Sequence, residues 1–219
     1  GICIDPFGVR FDSSPPAPTK EKQKNTIMGF YNEVYMTTSP LYTEEEIKNI
    51  VHVLDNAKQK FEEPEENKSF FRGEKKVKVT CVAWPEVKTN LKKFEDFIYD
   101  ANNRIFKYDI VKITDDHFVN VNYYDTENPN YHWHMDGTKL DKRYDIKLTC
   151  ILNISTEKYE GGNLVLYNIP DNINDIIKEK FSQPGYALLF TSNHFHKVES
   201  VTKGSRRSLS YWALGPLWR

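Results

Sequence analysis

Residues 131–137 read Tyr131-His132-Trp133-His134-Met135-Asp136-Gly137. Three side chains able to bind a metal, His132, His134 and Asp136, stand at every second position. In an extended segment alternate side chains share a face, about 7 Å apart between successive members. The pattern therefore predicts a strand with these three on one side and Trp133 and Met135 on the other. Two neighbours can converge on one ion, whereas three along one strand cannot readily do so. The pair is then either His132/His134 or His134/Asp136.

Each pair has its own chemistry. A His-x-His pair would make a cupin-like metal site, which needs a Glu a few residues on. Here the chain continues DGTKLDKR over 136–143, with Asp141 and no Glu. A His-x-Asp pair joined by one distant His makes a two-histidine, one-carboxylate face with open coordination positions, the usual holder of non-haem Fe(II). The stretch NHFHKV at 193–198 supplies two candidates for the distant ligand, His194 and His196. From His196 the chain runs HKVESVTKGSRRSLSYW, which places Arg206 and Ser208 ten and twelve positions on. At even spacing both share one face of a final strand, where Arg can grip a carboxylate through two parallel hydrogen bonds and Ser adds a third.

The flanking texture is that of a β-rich domain. KYDIVKIT (107–114), HFVNVNYYD (117–125), DIKLTCILNIS (145–155), GNLVLYN (162–168), GYALLFTS (185–192) and SRRSLSYWAL (205–214) are short alternating or aromatic runs separated by turn residues. Such spacing predicts a sandwich or barrel. NINDIIKEKF (172–181) reads as one helical turn or a loop insert. Gly161 and Gly162 read as a tight turn into a strand. Upstream, Thr43 and Glu46 form a capping box, and Ile47, Ile50, Leu54, Ala57 and Phe61 trace one helical face until Pro64. After a strand over 75–84, Leu91, Phe94, Phe97, Ile98, Ala101 and Ile105 mark a second amphipathic helix. SSPPAPTKEKQK (13–24) reads as an irregular arm. The expected organisation is an arm over 1–40 and a single domain over 41–219, whose β-rich body starts near residue 108.

Composition sets outer limits. The 219 residues suit one domain with a real core. Lys and Arg total 30 against 31 Asp and Glu, a net charge of −1 that offers no bulk attraction to nucleic acid or acidic membranes. Three cysteines without a CxxC make neither a disulfide framework nor a zinc ribbon. No apolar run approaches the roughly 20 residues of a membrane span, and no signal peptide is visible. A cytoplasmic protein is expected (host cytoplasm if the gene is viral).

The segment from about Tyr123 to Arg219, with YHWHMDG, KLTCILNISTEKYEGGNLVLY and PGYALLFTSNHFHKVESVTKGSRRSLSYWALGPLWR, resembles the 2-oxoglutarate and Fe(II)-dependent oxygenases, in particular the prolyl-4-hydroxylase-like branch and its small bacterial and phage-type members. The resemblance implies an α+β, mainly β fold: a double-stranded β-helix, the jelly-roll or cupin-like core, buttressed by N-terminal helices. It implies that His134, Asp136 and His196 hold Fe(II), and that Arg206, with Ser208 beside it, binds the distal carboxylate of 2-oxoglutarate. Tyr124, with Asn122 on the same face, falls where the family often contacts the cosubstrate, and Tyr131 falls at a pocket-lining position. Asn153 stands where some prolyl hydroxylases place a Tyr on the cosubstrate. His132 is left over, and His194, His52 and His117 are read as incidental. The implied activity is C–H hydroxylation coupled to decarboxylation of 2-oxoglutarate to succinate and CO2, consuming O2, with ascorbate as a possible helper. A peptide or protein substrate is implied, with proline the first guess. Trp133, Phe195, Trp212 and Trp218 could stack on such a substrate, although Trp212 reads more simply as core. Two alternatives remain, a nucleic-acid demethylase of the AlkB kind and a non-catalytic jelly-roll module; the first usually requires a second Arg downstream, and Arg207 points to the opposite face. The oligomeric state is left open.

Overall fold

The computed structural model describes residues 34–62, 75–137 and 143–218, together with the backbone of three short strands nearer the N-terminus. Those three are β1 (Cys3–Ile4), β2 (Arg10–Phe11) and β3 (Ile27–Phe30). There follow β4 (Val34–Thr37), α1 (Glu44–Asn56), β5 (Lys60–Glu62), β6 (Lys78–Ala83), α2 (Trp84–Val87), α3 (Lys92–Ala101), β7 (Phe118–Tyr124), β8 (Tyr131–His134), β9 (Tyr144–Asn153), β10 (Glu160–Gly161), β11 (Leu164–Leu166), α4 (Asp171–Phe181), β12 (Ala187–Thr191), β13 (His196–Val198), β14 (Val201–Lys203) and β15 (Arg206–Pro216). An eight-stranded antiparallel sheet runs β3-β4-β12-β9-β15-β7-β6-β5, and a three-stranded sheet runs β11-β13-β8. The two sheets form the double-stranded β-helix, and the pairs β1-β2 and β10-β14 stand apart from both.

The large sheet is covered on both faces. Leu148, Cys150 and Leu152 of β9 alternate towards one face, where they join Ile50 and Leu54 of α1 and Phe94 and Ile98 of α3 in one buried cluster. The intervening residues Thr149 and Ile151 face the small sheet. This is why the β9 run looks almost continuously apolar: it is covered on both sides. The small sheet contributes Leu164, Leu166 and Val198 to a second cluster that includes Tyr124, Ile177 and Phe181. Among the described residues, no helix is long and apolar enough to cross a membrane.

The helices follow their sequence signals at the start and depart from them at the end. The Thr43 hydroxyl accepts from the Glu46 amide at 3.2 Å, and the Glu46 carboxylate accepts from the Thr43 amide at 2.9 Å. The helix stops at Asn56, however, well before Phe61. Phe61 lies opposite Cys81 in the β5-β6 ladder and is half exposed. Its place in the helical stripe is outweighed by sheet pairing, already begun where the Ala83 amide donates to the Gln59 carbonyl at 2.9 Å. Arg207 of β15 grips Asp55 of α1 with two hydrogen bonds, 3.2 and 2.7 Å, tying helix to sheet.

Three further expectations need correction. Residues 107–114 form no strand, although β7 pairs with β15 only over Arg206–Ser210; beyond it the Val111 amide donates to the Leu214 carbonyl at 2.8 Å, and the Asp109 carbonyl approaches Gly215. The stretch 172–181 is not a single turn but most of an 11-residue helix, with Ile173, Ile177 and Phe181 buried at spacings of four. Val34–Thr37, inside the expected arm, is a buried strand between β3 and β12; residues 13–24 lie outside the described residues. Replacing Thr43 with Ala should lower unfolding free energy by about 1 kcal/mol through loss of the cap, measured as a shift of the urea midpoint at unchanged slope.

Candidate active site

The site begins with an irregularity in the small sheet. His196 pairs with His134 and Val198 pairs with Tyr131, so two steps along β13 match three along β8. This bulge turns Tyr131 and His134 to the same side, where their rings stack at 3.5 Å and 9°. His132 is exposed. Strict alternation would have put His132 beside His134; the extra residue in β8 breaks that phase.

Asp136 follows just beyond β8. The Gly137 amide donates to the Ser192 carbonyl at 2.6 Å, pulling this segment against the end of β12. A Cβ at Gly137 would meet the Asn193 amide nitrogen at 2.7 Å, so the approach needs glycine. His134 Nε2 then lies 3.6 Å from Asp136 Oδ1, and His196 Nε2 lies 3.5 Å from Oδ2. One ligand atom from each of the three lies within 4.8 Å of the others, and all three residues are buried. Both imidazoles are fixed by backbone: His134 Nδ1 donates to the His132 carbonyl at 2.7 Å, and His196 Nδ1 to the His194 carbonyl at 3.0 Å. With Nδ1 carrying the proton, each Nε2 turns its lone pair inward. Thr149 Oγ1 donates to Asp136 Oδ2 at 2.8 Å. Burial pushes the Asp136 carboxyl upward, but His196 and His134, when protonated, and hydrogen bonds from Thr149 and Trp212 outweigh it and hold it below the usual range. Two imidazole nitrogens and one carboxylate on a single side of a cavity fit Fe(II) and leave coordination positions open.

The other end of the cavity is built by β15. Arg206 pairs opposite Tyr124, Ser208 opposite Asn122, and Ser210 opposite Asn120, so residues two apart on β15 line the floor. Arg206 is 1% exposed. Its Nη1 donates to Ser208 Oγ at 3.3 Å, and its guanidinium lies 5.1 Å from the Tyr124 ring and 5.9 Å from the Phe181 ring. Among the described residues no carboxylate forms an ion pair with it. A buried guanidinium without its counterion fits a carboxylate ligand, since burial of an unpaired charge is costly. Burial also pushes the Tyr124 hydroxyl up to about 12, against the opposing effect of Arg206. About 40 Å³ of space open to water-sized spheres separates the two ends.

His134, Asp136, His196, Arg206, Ser208, Tyr124, Asn122 and Tyr131 therefore share one cavity. Asn153 does not. Its Nδ2 donates to the Phe181 carbonyl at 2.7 Å and to Tyr159 Oη at 3.1 Å, and its Oδ1 accepts from the Ser155 amide at 2.9 Å. Both polar atoms of its side chain are engaged, and the bond to Phe181 fastens α4 to β9. His194 accepts no place near the triad; its Nε2 lies 2.8 Å from the Tyr167 carbonyl. His117 Nδ1 lies 3.0 Å from Tyr211 Oη on the helix-covered side, and burial lowers its pKa. Asn120, Thr149, Ser210, Trp212 and Lys75 line the cavity without having been singled out as ligands. The even spacing Arg206–Ser208–Ser210–Trp212 carried the signal for two of them, including Trp212, which reads as core only if that phase is ignored.

Comparison with known proteins agrees with this geometry. Residues 119–214 match the family model of the 2OG-Fe(II) oxygenase superfamily. A PKHD-type hydroxylase of Shewanella frigidimarina is 30% identical over 96 residues, 41% of this chain and 39% of that protein. The chain thus spans about two fifths of that relative's length. Among solved structures, a Pseudomonas putida prolyl-4-hydroxylase aligns at TM-score 0.56 with 14% identity, covering 84% of this chain and 94% of the other. The viral collagen prolyl hydroxylase of Paramecium bursaria Chlorella virus-1, in its 2-oxoglutarate complex, gives 0.56 at 15% identity over 84% and 96%. A Trichoplax adhaerens prolyl hydroxylase bound to a hypoxia-inducible-factor peptide gives 0.58 at 20% identity over 83% of each chain. The β-rich part of the chain is thus similar to 2-oxoglutarate–Fe(II) oxygenases over residues 119–214. Its fold is that of the prolyl-4-hydroxylase-like branch.

Thr149→Val keeps the shape and removes the hydroxyl that orients Asp136. Affinity for Fe(II) or Zn(II) is expected to fall about 10- to 100-fold, measured by competition with a chromophoric chelator; an unchanged affinity would assign Thr149 a packing role alone.

Proposed function

We propose that the chain is a Fe(II)- and 2-oxoglutarate-dependent dioxygenase that hydroxylates a C–H bond of a peptidyl residue, proline first, and releases succinate and CO2. One observation carries this reading. A buried His134–Asp136–His196 face and a buried, carboxylate-free Arg206 stand at the two ends of a single cavity. Bound Fe(II) supplies O2 activation and oxidative decarboxylation of the cosubstrate. The protein's own residues supply position. Arg206 and Ser208 take the distal carboxylate, with Tyr124 as its neighbour. Tyr131 braces the His134 ring by stacking, and the carbonyls of His132 and His194 keep both imidazoles aimed.

Support for a peptide comes from the peptide held by the Trichoplax neighbour. Tyr167 and Phe195 are exposed aromatics, and Tyr167 meets Trp133 edge-on at 5.8 Å. Trp133 on β8, Tyr167 just after β11 and Phe195 just before β13 form an aromatic ridge on the face of the small sheet opposite His134 and His196. Nucleic-acid demethylation is disfavoured because Arg207 is committed to Asp55 on the opposite face. A relic binding module is disfavoured by the completeness of the donor set.

With Fe(II), ascorbate and 2-oxoglutarate supplied, His134→Ala and Asp136→Ala should abolish succinate formation. Arg206→Ala should instead raise the 2-oxoglutarate concentration needed for half-maximal turnover by about 10- to 100-fold, the equivalent of a lost charge-assisted hydrogen bond. Undiminished turnover in the Asp136 variant would overturn the assignment. Supplying proline-rich peptides and, separately, methylated oligonucleotides decides the substrate class: a peptide substrate gains the mass of one oxygen, whereas a demethylated oligonucleotide loses the mass of CH2 and releases formaldehyde.

A further inference from the structure

Arg206 borders two spaces. The first is the cavity it shares with the metal-binding face. The second is a void behind it, about 10 Å³ open to water-sized spheres, bounded by Phe181, Ile177 and Lys178 of α4 and by Tyr159. That is room for about one water molecule. Movement of Arg206 is blocked on three sides. At Gly162, where φ is +63°, a Cβ would meet Arg206 Cδ at 3.0 Å and Val201 Cγ2 at 2.8 Å, so the arginine stem runs directly over glycine backbone. Ser208 accepts from Nη1, and the Tyr124 ring lies 5.1 Å from the guanidinium carbon.

On the fourth side stands the Phe181 ring, 5.9 Å away and 2% exposed. Phe181 is held firmly for a helix-terminal residue. Its carbonyl accepts from Asn153 Nδ2 at 2.7 Å, and the next carbonyl, that of Ser182, accepts from Tyr159 Oη at 3.1 Å. The end of α4 is thereby fastened to β9, the strand that also supplies Thr149 to Asp136. A stop fixed to the strand that holds Asp136 through Thr149 limits the span between the metal-binding face and the guanidinium.

We propose that Phe181 is the residue that determines cosubstrate length: by keeping Arg206 out of the void behind it, Phe181 restricts the pocket to the five-carbon 2-oxo diacid and rejects the six-carbon homologue. The proposal rests on the 2-oxoglutarate reading above and deepens it. Phe181 touches no ligand and acts through Arg206, so it is a positioning residue. Removing part of its ring enlarges the void that Arg206 already borders, so the guanidinium can retreat into it and a diacid one methylene longer can then be spanned. A rigid pocket discriminates against one added methylene by about 10- to 200-fold.

The test is calorimetric binding of 2-oxoglutarate and 2-oxoadipate to the Zn(II)-loaded protein without O2, for the wild type, Phe181→Leu and Phe181→Ala. The wild type should prefer 2-oxoglutarate by about tenfold or more. In both variants the affinity ratio should fall about fivefold or more because 2-oxoadipate gains, while Zn(II) affinity is unchanged. The leucine variant keeps the measurement possible if the alanine variant does not fold. Equal weakening of both acids at a constant ratio overturns the proposal, as does a wild type that does not discriminate. Absence of 2-oxoglutarate binding in the wild type instead overturns the cosubstrate reading on which the proposal stands.

Discussion

The bulged pairing of β8 with β13 is the constraint on which the rest of the site depends. It brings His134 opposite His196 from positions 62 residues apart, and it turns Tyr131 inward as a brace for the His134 ring. Backbone carbonyls complete the arrangement. Because each Nδ1 is held by the carbonyl two residues earlier, ring orientation follows from strand geometry and needs no further side chain. A metal-binding face built this way is only as rigid as the small sheet, and that sheet is clamped by buried Leu164, Leu166 and Val198 against the large one.

The two sides of the large sheet divide the labour. Its helix-covered face is dry and apolar, with Leu148, Cys150 and Leu152 under α1 and α3. Its other face carries Thr149, Asn122, Ser208 and Arg206 towards the cavity. Alternation along β9 and β15 lets one strand serve both sides. A change on the helix side is felt as stability, whereas a change on the cavity side is felt as affinity. Arg207 and Arg206 make the contrast plain. Adjacent in the chain, one forms a partly solvated ion pair with Asp55, and the other is buried without a carboxylate.

α4 adds an element that short-range patterning understated. With Pro170 at its N-cap and three residues buried along one face, it closes the end of the β-helix behind Arg206. Asn153 belongs to that closure. It sits near the cosubstrate end, as a family comparison of position implies, yet all its hydrogen-bonding capacity goes to Phe181, Tyr159 and Ser155. Proximity in the strand did not make it a ligand, because a helix terminus claimed it first.

Much was legible in the residues alone. The capping box of α1, the buried stripe of α3, the short strands of the body and the spacing of His134, Asp136, His196, Arg206 and Ser208 are local or periodic signals, and the family resemblance converts that spacing into an ordered set of site positions. Other features depend on contacts the chain makes only when folded. The end of α1 is decided by competition from β5-β6 pairing, and the irregular path of 107–114 by where the Val111 amide and the Asp109 carbonyl meet β15. The phase of β8 is set by a bulge that the partner strand imposes. Periodicity reports which face a side chain would take in an ideal element; only the neighbouring strands decide where that element stops, slips or bends.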